Sequence, residues 1–189
     1  MMKKILLVDA SPRKNGNSEV IVDTIAADLK DCEVTVFKMR EKTCNPCLAC
    51  AACQGKDTQM CVQKDDLTAN LPAIDAADAI VIATPIYNQQ MSAQAKMFID
   101  RTYPFFSVTK EGMTNTSKPG KKAAVVCSCW AGDKVTYEKY AAWTAQALWQ
   151  IGASDTKAYV FEMIPNRGDI LNNASHMEKV HELAKWLAE

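Results

Sequence analysis

The composition of this chain limits the classes of function that it can have. It has 189 residues, of which 48% are hydrophobic and 23% are charged, which is typical of one soluble globular domain. Lysine plus arginine and aspartate plus glutamate number 22 each, so neither nucleic acid nor an anionic membrane is predicted as a partner. No apolar run approaches the roughly 20 residues of a membrane span, and the first run is too short for the core of a signal peptide. We therefore expect a cytoplasmic protein with a single domain, residues 1–189.

Five short apolar runs rich in valine and isoleucine predict buried parallel strands. The runs cover residues 5–8, 34–37, 79–83, 123–127 and 158–163. Helical patterns alternate with them, which predicts an α/β fold: a three-layer, doubly wound parallel sheet with helices on both faces. The sequence does not determine the strand order. We adopt 2-1-3-4-5, the common order of five-stranded flavodoxin-like sheets, in which ligands bind at the carboxyl ends of the central strands.

Capping residues and one proline predict where the helices begin and break. The apolar pattern at residues 67–74 suggests a helix, but Pro72 should shorten or break it, because proline lacks the N–H of a helical hydrogen bond. Side chains with an oxygen atom satisfy the free N–H groups at helix starts. The expected caps are Asn17 or Ser18, Ser92, Thr136, and Ser175 in a capping box with Glu178.

The polar run Ser-Pro-Arg-Lys-Asn-Gly-Asn-Ser at residues 11–18 lies between the first strand and the first helix. The first N–H groups of a helix are unpaired and the helix dipole adds positive potential, so this position suits a phosphate. The run lacks both the glycines of a dinucleotide fingerprint and the Gly-Lys-Ser/Thr of a Walker A loop. It predicts a site for a phosphate monoester, as in flavin mononucleotide (FMN), with a polar surface loop as the alternative. The candidate phosphate contacts are Ser11, Arg13, Asn15, Asn17 and Ser18.

Two further loops follow predicted strands and would lie at the same edge of the sheet. The loop at residues 84–92 offers a rigid Pro85, the ring of Tyr87 and the amide of Asn88. An isoalloxazine ring needs such an aromatic face and hydrogen bonds at its pyrimidine edge. The loop at residues 128–133 combines the ring of Trp130 with small and polar residues, among them Gly132. Taken singly, either ring could be an ordinary half-buried aromatic, but the three loops together predict a flavin site. No residue stands out as a general acid or base.

Five of the eight cysteines lie between residues 44 and 61. In a reducing compartment, such cysteines are better explained as ligands or redox groups than as disulfides. The spacing C-x2-C-x2-C-x7-C is typical of a [4Fe–4S] cluster, whereas a zinc site usually has two C-x2-C pairs set further apart. A cysteine-rich loop without metal is the remaining alternative. The spacing selects Cys47, Cys50, Cys53 and Cys61 as ligands and leaves Cys44 as a bystander.

Motifs spread over the first hundred residues occur in an order that is known from one family. Besides the phosphate loop, they are Cys47-x2-Cys50-x2-Cys53, Cys61-x3-Asp65-Asp66, Ala77-Asp78, Thr84-Pro-Ile-Tyr87 and Ser92-Ala-Gln-x-Lys96-x-Phe-Ile-Asp-Arg101. In this order they resemble the iron–sulfur flavoproteins, which belong to the NADPH-dependent FMN reductase-like group of the flavodoxin-like superfamily. The resemblance is good over roughly residues 3–103, and the C-terminal half matches only in pattern.

The resemblance implies an FMN-dependent oxidoreductase with NAD(P)H as a possible electron donor and a small molecule or a ferredoxin as redox partner. It implies that the phosphate loop holds FMN and that Pro85, Ile86, Tyr87 and Asn88 contact the ring. It also implies a [4Fe–4S] cluster on the four cysteines named above, within a cysteine-rich insertion at about residues 42–66. A homodimer or a dimer of dimers is implied as well, because in this family the cluster of one subunit approaches the flavin of another.

Two local features bear on these expectations. Ala49 stands where the family usually has glycine, so it would be strained if that position needs a positive φ. An aromatic-rich stretch after Ser92 is expected to supply part of the dimer contact through Phe98, Tyr103, Phe105 and Phe106. Three functions stay open: an electron-transfer enzyme with FMN and a cluster, a cluster-free NAD(P)H-dependent reductase of FMN or quinones, and a non-catalytic zinc-binding or redox-sensing module.

Overall fold

The structure is a computed structural model that describes residues 2–54, 60–110 and 112–189. Residues 55–59, which belong to the expected cysteine-rich insertion, lie outside the described residues. Along the chain the strands and α-helices are β1 (Lys4–Asp9), α1 (Asn17–Asp28), β2 (Glu33–Lys38), α2 (Asp66–Ala76), β3 (Ala79–Tyr87), β4 (Gln90–Met91), α3 (Ala93–Asp100), β5 (Phe106–Thr109), β6 (Gly112–Asn115), β7 (Lys121–Ser128), α4 (Lys134–Ala147), β8 (Ala153–Phe161) and α5 (Ala174–Ala188).

Five long strands form the central parallel sheet in the order β2-β1-β3-β7-β8. The fold class and the predicted order 2-1-3-4-5 of the five long strands are thereby confirmed. Three short strands were not predicted, because they are too short or too exposed to give an apolar run. Strand β4 pairs antiparallel with the end of β3, and β5 pairs with β6 in a separate hairpin. The turn between β3 and β4 consists of Asn88 and Gln89, whose φ angles of 47° and 68° suit a type I′ hairpin turn.

Each face of the sheet carries its own hydrophobic core, because successive side chains of a strand point to opposite faces. On one face, Leu7 and Val81 of the sheet pack with residues of α1 and α5. On the other face, Leu6 and Ile82 pack with residues of α2, α3 and α4. Helices on both faces bury the sheet and leave its strand ends for polar side chains. Within the described ranges, no helix has both the length and the hydropathy needed to cross a membrane.

Two helix starts show different capping. The hydroxyl of Ser92 accepts the N–H of Ala95 and caps α3, as predicted. Helix α1 begins after Gly16 and has no side-chain cap, so the expectation of a cap at Asn17 or Ser18 is wrong. Asn17 is instead the first residue of the helix, and its amide is bound elsewhere, as described below.

The caps of α4 and α5 also differ from those predicted. Asp133 caps α4 by accepting the N–H of Val135, and the hydroxyl of Thr136 donates to the same carboxylate at 2.6 Å. Asn173 caps α5 by accepting the N–H of His176, which places the start of this helix before the expected capping box at Ser175. In both cases a side-chain acceptor slightly earlier in the chain is used, so the helix starts earlier than predicted.

Pro72 neither shortens nor breaks α2, which runs through it from Asp66 to Ala76. Proline inside a helix removes one hydrogen bond. Leu67, Leu71 and Ile74 are almost fully buried on the same side of this helix. Their burial and the cap at Asp65, which accepts the N–H of Thr68, offset the loss.

Three of the four aromatic residues expected at a dimer contact are buried within the chain instead. Phe98 and Phe105 have no exposed surface, and Phe106 is 8% exposed. Tyr103 is half-buried and packs edge-on against Phe106, with ring centroids 4.6 Å apart. Phe98 and Phe105 belong to the core beside α3 and cannot supply a contact surface, whereas a contact through Tyr103 stays a prediction.

Replacing Gly152 with alanine should destabilise the protein far more than replacing Gly168 with alanine. Both glycines have positive φ, 86° and 73°, which costs about 1 kcal/mol for a residue with a Cβ atom. A Cβ at Gly152 would also lie 2.0 Å from the Lys118 carbonyl oxygen, whereas one at Gly168 meets no atom within 4 Å. We expect Gly152→Ala to cost about 2 kcal/mol more than Gly168→Ala in urea unfolding. Equal losses would contradict the packing of this turn.

Candidate functional site

The ends of β3 and β7, the start of α1 and the loops after β1, β7 and β8 enclose a cavity at the carboxyl edge of the sheet. This flavin cavity, as we call it, contains eight of the eleven residues that the sequence predicted for the FMN site. The cavity is lined by Ser11, Arg13, Gly16, Asn17, Ser18, Pro85, Ile86, Tyr87, Ser128, Cys129, Trp130, Ile164 and Pro165. Its walls combine hydroxyl groups, one guanidinium group and two exposed aromatic rings.

Three predicted residues, Asn15, Asn88 and Gly132, do not line the flavin cavity. Asn88 lies in the exposed turn between β3 and β4. Gly132 has a φ of 140°, and a Cβ there would lie 2.4 Å from the ring of Tyr137, so glycine is needed for close packing. Asn15 has a φ of 56°, and its N–H donates to the Glu19 carboxylate. These three residues set the conformation of loops near the cavity but do not form part of its wall.

Asn17 connects the phosphate loop to the loop after β8. Its side-chain amide donates to the carbonyl oxygens of Ile164 and Asn166, each at 2.9 Å, and its side-chain oxygen accepts the N–H of Ile170. The amide is therefore fully occupied, so any phosphate contact of Asn17 would come from its backbone N–H. Ile164 was missed because the apolar run suggested a strand as far as residue 163, whereas β8 ends at Phe161.

The hydroxyl groups at the floor of the flavin cavity are held by neighbouring loops. Ser11 is 2% exposed, and its oxygen accepts the N–H of Arg13 at 3.1 Å. The hydroxyl oxygens of Ser18 and Ser128 lie 3.4 Å apart, so the start of α1 and the end of β7 meet there. The first N–H groups of α1 have no intrahelical partner, so this floor can bind an anion.

A buried charge network lies beneath the phosphate loop. Arg40 forms ion pairs with Asp9, whose side chain has no exposed surface, and with Glu19 at 2.6 Å. The two carboxylates in turn accept N–H groups of the loop: Asp9 accepts that of Ser11, and Glu19 that of Asn15. Arg40 thereby fixes the phosphate loop through two acidic side chains.

Burial and partners act in opposite directions on these two carboxylates. Burial raises the pKa of Asp9, although the Ser11 N–H and Arg40 oppose this shift. Burial would also raise the pKa of Glu19, but hydrogen bonds from Lys38 and the Asn15 N–H, together with Arg40, lower it below its usual value. The Ser11 N–H and Arg40 are therefore the groups that stabilise the charged form of the buried Asp9.

Replacing Arg40 with methionine should destabilise the protein and weaken FMN binding, because it leaves the buried Asp9 without a cation. Removing one partner of a buried pair costs about 3–5 kcal/mol. Lys38→Met is the matched control, since Lys38 also binds Glu19 but does not reach Asp9, and it should cost about 1 kcal/mol or less. Urea unfolding at one FMN concentration and FMN titration compare the two. Similar losses in both variants would contradict the role of Arg40.

Four of the five clustered cysteines line a second, small cavity. This cysteine cavity contains Cys47, Cys50, Cys53 and Cys61, the four predicted ligands, together with residues at the end of α3 and just after it. Cys44 is not among its lining residues and packs against the core near α2 and α3. Burial, with Asp65 and Asp66 nearby, raises the pKa of the Cys44 thiol to about 11.

The cysteine segment is anchored at both of its ends. The carboxylate of Asp66 accepts the N–H of Thr43 at 2.7 Å, and that of Asp65 accepts the N–H of Asn45 at 2.9 Å. Within the segment, the amide of Gln54 donates to the carbonyl oxygens of Tyr103 and Phe106 at 3.2 and 3.0 Å. The segment is therefore attached to α2 at its base and to the chain after α3 in its middle.

Arg101 lies at the base of the cysteine segment and is 2% exposed. Its guanidinium forms a two-pronged pair with Asp65, at 2.7 and 2.9 Å, and donates to the carbonyl oxygen of Asn45 and the hydroxyl of Thr68. The hydrogen bond from Arg101 holds the pKa of Asp65 far below its usual range, against the effect of burial. Burial lowers the pKa of Arg101, but Asp65 and the nearby Cys61 sulfur outweigh it and raise the value.

Among the described residues, no three histidine, cysteine, aspartate or glutamate side chains lie close enough together to hold a metal ion. The backbone between the cysteines is strained: Ala49 and Ala51 have φ angles of 50° and 53°. Residues other than glycine rarely adopt such angles, at a cost of about 1–2 kcal/mol each. Ala49 thus has the positive φ that its place in the family pattern suggested.

A comparison with models of protein families assigns the chain to a family. The model of the NADPH-dependent FMN reductases matches residues 3–155. The chain belongs to this family. The resemblance seen in the sequence motifs is therefore confirmed.

Three curated relatives are named as iron–sulfur flavoproteins. One from Methanocaldococcus jannaschii is 27% identical over 191 residues, covering 98% of this chain and 96% of that protein. One from Archaeoglobus fulgidus is 35% identical over 97 residues, which is 50% of this chain and 43% of that one. One from Methanosarcina thermophila is 36% identical over 102 residues, which is 52% of each chain. The matches to the last two span about half the length of those relatives.

Solved structures show the same fold at low sequence identity. The NAD(P)H:quinone oxidoreductase of Methanothermobacter marburgensis has a TM-score of 0.74 and 13% identity, covering 100% of this chain and 98% of that one. An FMN-dependent NADH-azoreductase of Bacillus anthracis, in complex with FMN, has a TM-score of 0.68 and 16% identity, covering 100% of both. At such identities the likeness shows the flavodoxin-like fold alone.

Proposed function

We propose that the protein is an FMN-dependent oxidoreductase that passes electrons through the flavin to or from a [4Fe–4S] cluster. The observation that carries this proposal is the presence of two separate cavities, one with the features of a flavin site and one lined by four cysteines. Membership of the FMN reductase family supports the first, and the names of the relatives support the second. Bound FMN would supply both two-electron and one-electron chemistry, which the protein positions and tunes.

The residues of the flavin cavity divide into two groups by chemistry. Ser11, Arg13 and Ser18 would bind the phosphate, together with backbone N–H groups at the start of α1. Pro85, Ile86 and Tyr87 would contact the ring on one side, and Trp130, which is 68% exposed, would cover it from the loop after β7. Asn15, Asn88 and Gly132 act in this proposal only by shaping their loops.

If the phosphate is held in this way, FMN should bind much more tightly than riboflavin, which lacks it. Each charge-assisted hydrogen bond is worth roughly 1.5–3 kcal/mol. Replacing Ser11 and Arg13 together by alanine should weaken FMN at least about tenfold and leave riboflavin binding almost unchanged. Fluorescence titration of both flavins measures the difference. Equal affinities of the unchanged protein for the two flavins would remove the basis of the proposed phosphate site.

The cluster is proposed on Cys47, Cys50, Cys53 and Cys61. The donor set fits, because four thiols line one cavity and thiolates are the usual ligands of a [4Fe–4S] cluster. The sulfurs would have to move closer together to bind iron. Cys47, Cys50 and Cys53 lie between the anchors at Asn45 and Gln54, and the strain at Ala49 and Ala51 lies in this same stretch.

Replacing any of these four cysteines with alanine should remove or convert the cluster and leave FMN bound, since the two cavities share no lining residue. Cys44→Ala is the matched control and should keep the full iron content, because Cys44 lies outside the cavity. Iron, sulfide and flavin analysis of anaerobically prepared protein measures both. Loss of iron in Cys44→Ala together with its retention in Cys47→Ala or Cys61→Ala would show that the ligand set is misassigned.

A cluster-free NAD(P)H-dependent reductase of FMN or quinones is the second candidate function. It is favoured by the fact that the described cysteines are not yet gathered into a metal-binding arrangement. Flavin without iron in wild-type protein made with ample iron and sulfide would favour this candidate. In either case, a homodimer or a dimer of dimers, a small-molecule or ferredoxin partner, and a single domain with a cysteine-rich insertion remain proposals.

A further inference from the structure

We propose that Arg101 is a positioning residue for the iron–sulfur cluster, and that its Nε–H donates a hydrogen bond to the sulfur of Cys61 and so raises the reduction potential of the cluster. This inference rests on the proposed function, since it requires a cluster in the cysteine cavity. It gives a functional role to Arg101, a buried cation that does not line the flavin cavity.

One of the five N–H donors of Arg101 has no hydrogen-bond acceptor among the described residues. A guanidinium has five N–H groups. Its two terminal nitrogens make four hydrogen bonds: two to Asp65, one to the Asn45 carbonyl and one to the Thr68 hydroxyl. The remaining Nε–H is buried and has no partner among the described residues. A buried donor without an acceptor is costly, so a further acceptor is expected at this position.

The acceptor at hand is a cysteine sulfur. Arg101 and Cys61 line the same cavity, and the guanidinium lies close enough to the Cys61 sulfur to interact with it electrostatically. Nε and the Cys61 sulfur are not in hydrogen-bond geometry in this structure. As a ligand of a cluster, Cys61 would be a thiolate, which is a far better acceptor than a thiol.

The same residue fixes the base of the cysteine segment. Arg101 binds the Asn45 carbonyl two residues before Cys47, and it binds Asp65 four residues after Cys61. Both ends of the ligand run are thus held by one side chain. Reduction adds negative charge to a cluster, so a buried cation and a hydrogen bond to a ligand sulfur favour the reduced state.

The test uses the holoprotein with FMN and cluster bound. Arg101→Lys keeps the positive charge but loses the fixed fork and the Nε–H. We expect it to retain iron and FMN and to make reduction of the cluster about tenfold less favourable, which corresponds to a potential about 59 mV lower for a one-electron couple. The flavin potentials should not move. Lys118→Met is the matched control, because Lys118 pairs with Asp78 at the surface and neither residue lines the cysteine cavity, so its cluster potential should equal that of wild type.

A second measurement needs no variant. The protein has four arginines, and Arg101 is the one that lines the described cysteine cavity. Wild-type protein labelled with 15N-arginine should show a 15N coupling to the reduced cluster by pulsed electron paramagnetic resonance. This readout decides the matter if Arg101→Lys fails to fold or to hold iron.

The possible outcomes distinguish a failure of the proposed cluster from a failure of the proposed role of Arg101. Wild-type protein that binds FMN but no iron overturns the cluster itself, and the role of Arg101 with it. Wild-type protein that holds a cluster but shows no arginine coupling overturns the role of Arg101 alone. An unchanged cluster potential in Arg101→Lys, with iron retained, does the same. A lowered potential together with the arginine coupling supports the inference.

Discussion

The parallel sheet is buried on both faces, and this constraint decides where chemistry can take place. Helices cover each face, so the strand ends are the places where polar groups of the sheet can meet ligands. Asp9 and Ser128 end their strands at the carboxyl edge, and the loops after them form the floor of the flavin cavity. The flavin site is therefore a consequence of the topology before any single side chain is considered.

Two arginines, with 11% of the Arg40 side chain and 1% of the Arg101 side chain exposed, hold loops at this edge. Arg40 joins Asp9 and Glu19 beneath the phosphate loop, and Arg101 joins Asp65 and Asn45 beneath the cysteine segment. In each case the cation acts on loop backbone, either directly or through a carboxylate that accepts an N–H. A carboxylate with less than a tenth of its side chain exposed is stable as an anion only beside such a cation. Both loops are thus fixed by charge, in a region where apolar packing cannot hold them.

The sequence was most informative where the spacing of apolar residues along the chain matches the burial of those residues in the fold. The five long strands were predicted from their apolar runs, although the edge strands β2 and β8 are only partly buried. The phosphate loop followed from its place between β1 and α1. Eight of eleven predicted flavin-site residues line one cavity. The three exceptions have local structural roles instead. Asn88 forms a hairpin turn, Gly132 packs closely against Tyr137, and the N–H of Asn15 donates to Glu19. Such uses depend on tertiary neighbours, so a pattern along the chain does not reveal them.

The two arginines could not have been found from periodicity. Arg40 lies two residues after β2, and Arg101 lies directly after α3, whose charged residues Lys96 and Asp100 are not buried. Their burial depends on partners 31 and 36 residues away in the chain. The motif from Ser92 to Arg101 pointed to the position, but only the structure supplies the reason for an arginine there.

The separation of the two cavities has a consequence for electron transfer. They share no lining residue, so FMN and a cluster would each be held by its own loop and its own arginine. Electrons would then have to cross protein between them, either within one chain or between two copies. Phe98 and Phe105 cannot provide a contact between copies, because they are buried in the core. Trp130 and Tyr87 of the flavin cavity are 68% and 41% exposed, so a redox partner would meet the flavin at this edge of the sheet before it met the core.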